Sequence, residues 1–204
     1  MDKHAVLKQY FGHDAFRPGQ EALVDGILSG RDALGIMPTG GGKSLCYQVP
    51  ALLLPGVTLV ISPLISLMKD QVASLEAAGV SAGFLNSSQT LEESRQVWGR
   101  VRRGECRLLY VAPERLENAR FLELAAELVI PLVAVDEAHC ISQWGQDFRP
   151  SYLKIASFVS TLPKRPVLAA FTATATAQVQ EDVVRQLDLR TPVRVVTGFD
   201  RPNL

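Results

Sequence analysis

Cysteine is scarce in this sequence, and the spacing that would indicate a disulfide framework or a zinc module is missing. The three cysteines, Cys46, Cys106 and Cys140, lie far apart, and no Cys-x-x-Cys pair or Cys/His cluster is evident. We therefore expect no zinc in this chain. The odd count fits a reducing compartment, and each cysteine is expected to be a small buried residue.

Long apolar runs, a leader segment and an excess of charge are also missing. No stretch is apolar enough to span a membrane, and the first residues do not form a secretory pattern. We expect a protein that is not secreted and has no membrane partner. The 21 basic residues are balanced by 21 acidic ones. A zero net charge argues mildly against a protein that coats DNA, but it leaves room for a local basic groove.

The composition that remains is that of a single globular domain spanning residues 1–204. The chain is 47% hydrophobic and 21% charged, without repeats or low-complexity segments. Strands are predicted at 33–36, 57–61, 107–112, 131–135, 166–171 and 193–197, with 81–85 as a candidate further strand. Helices are predicted at 2–11, 18–29, 43–54, 64–78, 90–103, 118–129, 151–162 and 176–187. This alternation predicts an α/β fold with a mostly parallel sheet covered by helices on both faces.

A glycine-rich loop follows the first predicted strand. Residues 37–44 read Met-Pro-Thr-Gly-Gly-Gly-Lys-Ser, and a helix is predicted directly after them. Such a loop directs backbone N–H groups at phosphate oxygens, with Lys43 reaching the β- and γ-phosphates and the Ser44 hydroxyl binding Mg²⁺. Met37 stands where the strict pattern has glycine. Taken alone, the loop is also compatible with a flexible turn before a helix.

Two adjacent carboxylates follow the fourth predicted strand. The apolar run 132–135 leads into Asp136 and Glu137, at the strand end where open α/β sheets bind ligands. Asp136 suits the surroundings of Mg²⁺, and Glu137 suits orienting and deprotonating a water molecule. The alternative is helix N-cap chemistry. Together with the glycine-rich loop, the pair predicts hydrolysis of a nucleoside triphosphate.

Residues upstream of the glycine-rich loop are candidates for recognising the base. The amide of Gln20 offers a donor and an acceptor, which matches the N6/N7 edge of adenine. The alternative is an exposed polar residue on a helix. Arg17 is expected either to help hold the base or phosphates, or to form an ion pair at the surface.

Two further strand ends carry hydroxyl groups. Ser62 and Pro63 precede a predicted helix whose free N–H groups suit a nucleic-acid phosphate, although Ser62 as N-cap with Pro63 at the first helical position fits equally well. Thr172 and Thr174 follow another strand. Their hydroxyls suit hydrogen bonds to carboxylates at a neighbouring strand end, or N-capping by Thr174 or Thr176.

The segment after the acidic pair is rich in aromatic residues. It places Trp144, Phe148 and Arg149 in a loop bounded by glycine and proline. Aromatic rings with an arginine can stack the bases of a single strand. The alternative, that Trp144 and Phe148 pack into the core, remains open on the sequence alone.

With these motifs in order, the chain resembles the first RecA-like motor domain of a superfamily 2 helicase, and specifically the RecQ family of DNA helicases. The resemblance rests on seven segments, which cover nearly the whole chain: 16–20, 37–48, 62–71, 112–116, 136–150, 172–174 and 199–203. The continuation of the acidic pair, Asp-Glu-Ala-His-Cys-Ile-Ser-Gln-Trp-Gly, is highly specific. Met37 in the loop is itself what this family shows.

The resemblance implies a 3′→5′ ATP-dependent DNA helicase that acts on single-stranded and forked DNA in repair and recombination, with ATP and Mg²⁺ as cofactors. His139 would link the ATP site to the DNA-facing parts, and the loop from Ser142 to Arg149 would couple DNA binding to hydrolysis. The implied nucleotide-binding residues are His13, Arg17, Gln20, Thr39, Gly40, Gly41, Gly42, Lys43 and Ser44. His13 stands where relatives often carry a tyrosine, and an imidazole stacks on adenine with less area.

The resemblance also implies a second RecA-like domain that supplies an arginine finger, with 198–204 as the start of the linker to it. The isolated chain is then expected to be monomeric, with little or no helicase activity, and located in the cytoplasm at a bacterial nucleoid or in a eukaryotic nucleus. Two alternatives remain open. One is a P-loop kinase or metabolic ATPase without a nucleic-acid role, and the other is a binding module without turnover.

Overall fold

The computed structural model describes residues 1–40 and 42–198, in which helices and parallel strands alternate. The strands are β1 (Ala33–Ile36), β2 (Thr58–Ile61), β3 (Ala82–Leu85), β4 (Leu108–Val111), β5 (Leu132–Val135), β6 (Val167–Thr172) and β7 (Val193–Val196). The helices are α1 (Lys3–Phe11), α2 (Gln20–Leu28), α3 (Leu45–Leu53), α4 (Ile65–Ala77), α5 (Leu91–Arg102), α6 (Ala119–Glu127), α7 (Ile155–Thr161) and α8 (Ala177–Gln186). Short 3₁₀ turns cover Pro113–Glu117, Ala138–Ile141 and Pro150–Lys154.

All seven strands join one parallel sheet, in the order β3-β4-β2-β5-β6-β1-β7. The candidate strand at 81–85 is therefore confirmed as β3, at one edge of the sheet. Strands β1, β2, β4 and β5 are buried along their whole length. Continuous burial explains why they read as unbroken apolar runs, because both faces of a parallel sheet are covered.

Helices cover both faces of the sheet, as the alternation predicts. Along β2, Leu59 and Ile61 join the core beneath α5 to α8, whereas Val60 joins the core beneath α2 to α4. Helix α1 packs outside the second layer, where Leu7 meets Val24 of α2 and Val49 of α3. The α/β prediction, with a parallel sheet between two helical layers, is confirmed.

The helix predicted at 151–162 is instead two pieces. A 3₁₀ turn begins at Pro150, and α7 follows it from Ile155. Within this 3₁₀ turn, Tyr152 is buried, and its hydroxyl donates to the carbonyl of Asp136 at 2.8 Å. Tyr152 thereby ties the turn to the end of β5.

Helix starts are capped by the residue types that favour such positions. Thr90 and Glu93 form a capping box at α5, and Asn118 caps α6. Thr176, and not Thr174, caps α8 by accepting from the N–H of Val179. In the part of the chain that the structure describes, no helix has the length and apolar character needed to cross a bilayer.

Candidate functional site

Parallel strands place all their carboxyl ends at one edge of the sheet, and the predicted site residues follow those ends. The order β2-β5-β6-β1 makes the segments after these four strands neighbours. Two hydrogen bonds extend the pairing into them: Met37 N–H donates to the Thr172 carbonyl at 3.0 Å, and Asp136 N–H donates to the Ile61 carbonyl at 2.9 Å. The glycine-rich loop and the acidic pair therefore open onto the same edge.

The glycine-rich loop makes two turns that glycine permits at low cost. Gly40 has φ of 81° and Gly42 has φ of 76°, both in the left-handed region. A Cβ on Gly42 would also lie 2.2 Å from Nε2 of Gln20. The predicted phosphate ligand Gly41 lies outside the described residues. Ordered turns at Gly40 and Gly42 favour a built loop over a merely flexible one.

The two polar residues that end the loop have side chains suited to an anion and a cation. Lys43 Nζ donates to the Met37 carbonyl at 3.1 Å, a neutral partner for an ammonium group. Ser44 occupies the N-cap position of α3, and its side chain makes no capping hydrogen bond. The ammonium and the hydroxyl thus lie at the start of α3, where the helix dipole favours a phosphate.

Gln20 and Arg17 fasten the glycine-rich loop. Gln20 is 1% exposed, its Oε1 accepts from Arg17 N–H at 2.8 Å, and its Nε2 donates to the Gly42 carbonyl at 3.0 Å. Arg17 Nη1 donates to the Gly40 carbonyl at 2.6 Å. The alternative of an exposed glutamine is therefore wrong, and within residues 1–40 and 42–198 Arg17 bonds a loop carbonyl and no carboxylate. Adenine recognition by these side chains stays a prediction.

The acidic pair has an unusual backbone and an unusual electrostatic setting. Glu137 lies in the left-handed region, with φ of 49° and ψ of 44°, and its N–H donates to Oδ1 of Asp136 at 2.9 Å. Burial, and secondarily the charge of Glu137, raise the pKa of Asp136 to about 6. Neither carboxylate caps an α-helix, since the next element is the 3₁₀ turn from Ala138. The N-cap alternative is wrong.

A cavity of about 550 Å³ joins these parts. The predicted residues that line it are His13, Arg17, Thr39, Gly40, Gly42, Lys43, Ser44, Asp136 and Glu137. Two neighbouring, partly buried carboxylates beside an ammonium group favour a bound cation together with a polyanion. Ser44 and Asp136 therefore fit Mg²⁺, and Lys43 fits the phosphates of a nucleotide.

Gln48 and Gln71 are among the lining residues that were not assigned to the site from the sequence. Gln48 Nε2 donates to Gln71 Oε1 at 3.0 Å and to the Tyr110 hydroxyl at 3.2 Å, which links α3, α4 and β4 behind the cavity. A signal was available, because Gln48 interrupts the otherwise apolar run 45–53. A buried amide in such a run requires partners.

His139 connects the acidic pair to the end of β6. Its Nδ1 lies 2.7 Å from the Thr172 hydroxyl and 3.4 Å from Oε2 of Glu137. Because the Thr172 hydroxyl donates to the Thr174 carbonyl at 3.2 Å, it accepts from His139, which assigns the proton to Nδ1. The expected bond from Thr172 to a carboxylate is thus replaced by a bond to imidazole, and Thr174 contributes its carbonyl.

Ser62 and Pro63 lie in the segment between β2 and α4. Helix α4 begins at Ile65 with Leu64 at its N-cap, so the alternative with Ser62 as N-cap and Pro63 at the first helical position is wrong. Ser62 is 2% exposed, and its hydroxyl has no hydrogen-bond partner within residues 1–40 and 42–198. A phosphate contact by this segment stays a prediction.

The aromatic loop is fixed at its base and exposed at its tip. Trp144 is 67% exposed, which makes the core-packing alternative wrong for this ring, whereas Phe148 is half-buried. The buried Ser142 accepts from Trp144 N–H at 3.2 Å and donates to the carboxylate of Asp182 in α8. Arg149 pairs with Asp147, at 3.2 Å between Nη2 and Oδ2.

Comparison with known proteins places this geometry among helicases. The sequence model of the DEAD/DEAH box helicase family matches residues 17–183. The chain is 50% identical over 200 residues to the ATP-dependent DNA helicase RecQ of Haemophilus influenzae, covering 98% of this chain and 32% of the relative. It is 48% identical over 201 residues to RecQ of Bacillus subtilis, covering 98% and 34%.

The fold agrees with solved helicase structures. The DNA-bound structure of the DUF1998 helicase MrfA matches with a TM-score of 0.75 over 97% of this chain and 29% of that chain, at 17% identity. A hypothetical ATP-dependent RNA helicase from Sulfolobus tokodaii matches with a TM-score of 0.71 over 95% and 56%, at 20% identity. The chain spans about a third of the length of the curated RecQ relatives that it matches.

Proposed function

Because the chain belongs to the DEAD/DEAH box helicase family, with RecQ helicases about 50% identical to it over 98% of its length, we propose that it is the ATP-binding motor lobe of a RecQ-like 3′→5′ DNA helicase. In this proposal, ATP hydrolysis drives translocation on single-stranded DNA and unwinding of forked duplexes during repair and recombination. The cavity that joins the glycine-rich loop to Asp136 and Glu137 is the observation that carries it.

Hydrolysis in this cavity is assigned to four side chains. Lys43 leaves the loop carbonyls to bind the β- and γ-phosphates, and Ser44 with Asp136 holds Mg²⁺. The bound ion neutralises charge that develops on the phosphates. Glu137 orients the attacking water and accepts its proton. Arg17, Gln20 and His13 hold the adenine, in addition to the bonds by which Arg17 and Gln20 fasten the loop.

Communication with DNA is assigned to His139 and the aromatic loop. The bond from His139 to Thr172 joins the ends of β5 and β6, and the chain continues from His139 into the loop. Trp144, which is exposed, is proposed to stack on a base, together with Phe148 and Arg149 of the same loop. Ser62, Pro63 and Thr174 at the same sheet edge are proposed to face the DNA backbone.

Activity of the whole protein requires more than this lobe in the proposal. The chain spans about a third of its RecQ relatives, and an arginine finger from a second lobe is worth orders of magnitude in turnover. We expect the chain alone to be a monomer with little helicase activity. A location at the DNA of a bacterial cytoplasm or of a nucleus belongs to the same proposal.

Steady-state ATP turnover, with and without single-stranded DNA, tests the proposal. It is measured for the 204-residue chain and for the protein containing it, together with binding of a fluorescent ATP analogue. Lys43→Ala is expected to abolish nucleotide binding and turnover. Lys164→Ala, at an exposed turn far in sequence from the loop, is the matched control and leaves both unchanged.

The outcomes separate the proposal from its alternatives. Turnover of the complete protein that DNA stimulates supports a motor lobe. ATP turnover at the same rate with and without DNA would instead support a metabolic ATPase. Transfer of the phosphoryl group to a small acceptor would support a kinase. Full DNA-stimulated turnover by the isolated chain would contradict the need for a second lobe.

A further inference from the structure

Three potential metal ligands meet between the ATP cavity and the aromatic loop. Nitrogen from His139, sulfur from Cys140 and a carboxylate oxygen from Asp147 lie within 4.8 Å of one another. No Cys/His cluster was expected from the sequence, because the cysteines are far apart, yet the fold brings these three side chains together. The expected absence of zinc is not tested by this geometry. The signal was the adjacent pair His139-Cys140, with an acid seven residues later.

The spacing of the three atoms approaches that of a tetrahedral metal site. Cys140 Sγ lies 3.7 Å from His139 Nε2 and 3.8 Å from Asp147 Oδ2. Ligands at ordinary zinc bond lengths and tetrahedral angles lie about 3.6 Å apart. The His139 nitrogen and the Asp147 oxygen lie within 4.8 Å of each other, and the Asp147 side chain that would have to move closer is exposed.

The orientation of His139 also suits a ligand. Its Nδ1–H is held by Thr172, which leaves the lone pair of Nε2 directed toward the sulfur of Cys140. Histidines that bind metals are held in the same way, because a hydrogen bond at one ring nitrogen fixes the other for the ion. This arrangement exists before any ion enters.

The charges around the cluster favour a divalent ion that accepts sulfur. The guanidinium of Arg149 pairs with the Asp147 carboxylate, at 3.2 Å between Nη2 and Oδ2. Glu137 contributes a second carboxylate on the far side of His139. A thiolate ligand selects zinc-like ions, whereas the oxygen ligands Ser44 and Asp136 suit Mg²⁺. The two sites therefore differ in chemistry although one chain segment connects them.

We propose that His139, Cys140 and Asp147 form a binding site for Zn²⁺ or a similar borderline divalent ion, with the fourth position open to water. Binding would hold Asp147, and with it the aromatic loop, against the end of β5. Arg149 would then share or lose its carboxylate partner. The proposal rests on the positions of the three donors and does not depend on ATP hydrolysis.

Titration of the 204-residue chain with Co²⁺, followed by absorption spectroscopy, tests the site. Co²⁺ replaces Zn²⁺ in such sites, and only a cysteine ligand produces a thiolate-to-cobalt charge-transfer band. We expect this band at one ion per chain, with strong visible absorption typical of four ligands and loss of both on adding excess Zn²⁺. Excess Mg²⁺ is expected to leave the band in place.

Three variants locate the ion. Cys140→Ser is expected to remove the band, and Asp147→Asn, at an exposed side chain, is expected to weaken binding at least tenfold. Cys106→Ala keeps the band, because that cysteine is buried against Leu108, away from the cluster. Circular dichroism checks the fold of each variant. Absence of the band in the parent chain, or an unchanged titration in Asp147→Asn, would overturn the proposal.

Discussion

Two aspartates at opposite edges of the sheet, Asp32 fully buried and Asp136 partly buried, differ in how their carboxylates are paired. Asp32 precedes β1 at the amino edge and is 3% exposed, with its carboxylate fully engaged. It accepts from Arg165 at 2.7 Å, from Leu168 N–H at 2.9 Å and from Arg190 N–H at 2.7 Å. It thereby joins β1 to β6 and to the segment before β7.

Asp136 follows β5 at the carboxyl edge and has far fewer partners. Its carboxylate accepts from Glu137 N–H, and its pKa is raised to about 6 by burial and by the adjacent Glu137. Breaking the bonds of a fully paired buried carboxylate is costly, whereas an under-paired carboxylate is ready to bind a cation. The difference distinguishes an edge of the sheet that is held together by hydrogen bonds from the edge that carries the proposed site.

The largest expected effect lies at the carboxyl edge. Glu137→Gln removes the proposed base for the attacking water, so ATP hydrolysis by the complete protein is expected to fall by about 10²–10⁴-fold. Nucleotide binding is expected to stay within about twofold, because the amide keeps the shape of the side chain. Single-turnover hydrolysis and equilibrium binding measure the two effects separately.

The matched control is Glu127→Gln, at an exposed glutamate that ends α6. It should leave hydrolysis and binding unchanged. Normal hydrolysis by the Glu137 variant would show that this residue has no part in hydrolysis. The contrast between the two edges would then depend on Asp136 alone.

At the amino edge, the expected effect is on folding. Asp32→Ala leaves the guanidinium of Arg165 and two backbone N–H groups without their acceptor. The free energy of unfolding is expected to fall by about 3–5 kcal/mol, as when one partner of a buried ion pair is removed. Urea denaturation of the nucleotide-free chain measures it.

Asp14→Ala is the control for this loss, because Asp14 is exposed and pairs with Lys8 at the surface. Its effect should be within about 0.5 kcal/mol. A loss below about 1 kcal/mol for the Asp32 variant would show that its hydrogen bonds are not what holds this edge together.

Asp136→Asn is expected to change stability in the opposite direction. The pKa of Asp136 is higher in the fold than its ordinary 3.8. Ionisation of this carboxyl therefore lowers the free energy of unfolding increasingly as pH rises from about 4 to 6, and by the full amount above pH 6. At pH 7.5 the free energy of unfolding of the variant should be higher by about 1–2 kcal/mol. This is less than the full pKa shift corresponds to, because water reaches part of the carboxylate.

Chemical denaturation at pH 7.5 and pH 4 checks this sign, since the gain should disappear at the lower pH, where the parent carboxyl is neutral. ATP hydrolysis should be lost in the same variant. A loss of stability at pH 7.5 would mean that Asp136 is held as firmly as Asp32, and the contrast between the two edges would fail.

The smallest expected effect concerns Asp182, which anchors the aromatic loop. Burial raises the pKa of this carboxyl, but hydrogen bonds from Ser142 and Arg185 outweigh it and hold the pKa below 3.8. Its contribution to stability is therefore present above about pH 4 and is lost as pH falls through the lowered pKa.

Asp182→Asn is expected to cost about 1 kcal/mol at pH 7 and less at pH 3, which lies below the ordinary pKa of the carboxyl. Thermal unfolding at the two pH values measures the difference. An equal loss at both would show that packing, and not the charge, fixes the base of the loop.

The architecture was predictable because it rests on local patterns. Apolar runs bounded by turns marked the strands, and the alternation with helices required a parallel sheet. The break at Pro150–Lys154 was not predictable in this way. It accompanies the bond from Tyr152 to the Asp136 carbonyl, a contact across 16 residues that no periodicity reveals.

The site was predictable in its position more than in its contacts. Parallel strands bring their carboxyl ends together, so the glycine-rich loop and the acidic pair had to meet. The bond from Gln20 to the Gly42 carbonyl spans 22 residues and needs the fold itself. The exposure of Trp144 likewise follows from how Ser142 meets α8, which the sequence does not show.

The left-handed backbone of Glu137 has a consequence for engineering. A glutamate at φ of 49° costs about 1 kcal/mol relative to the glycine or asparagine that this conformation favours. A search for thermostable variants would therefore select replacements at position 137 early. Variants selected in this way would become more heat-resistant while they lost ATP turnover. Replacements at position 137 should therefore be tested for activity from the first round of screening.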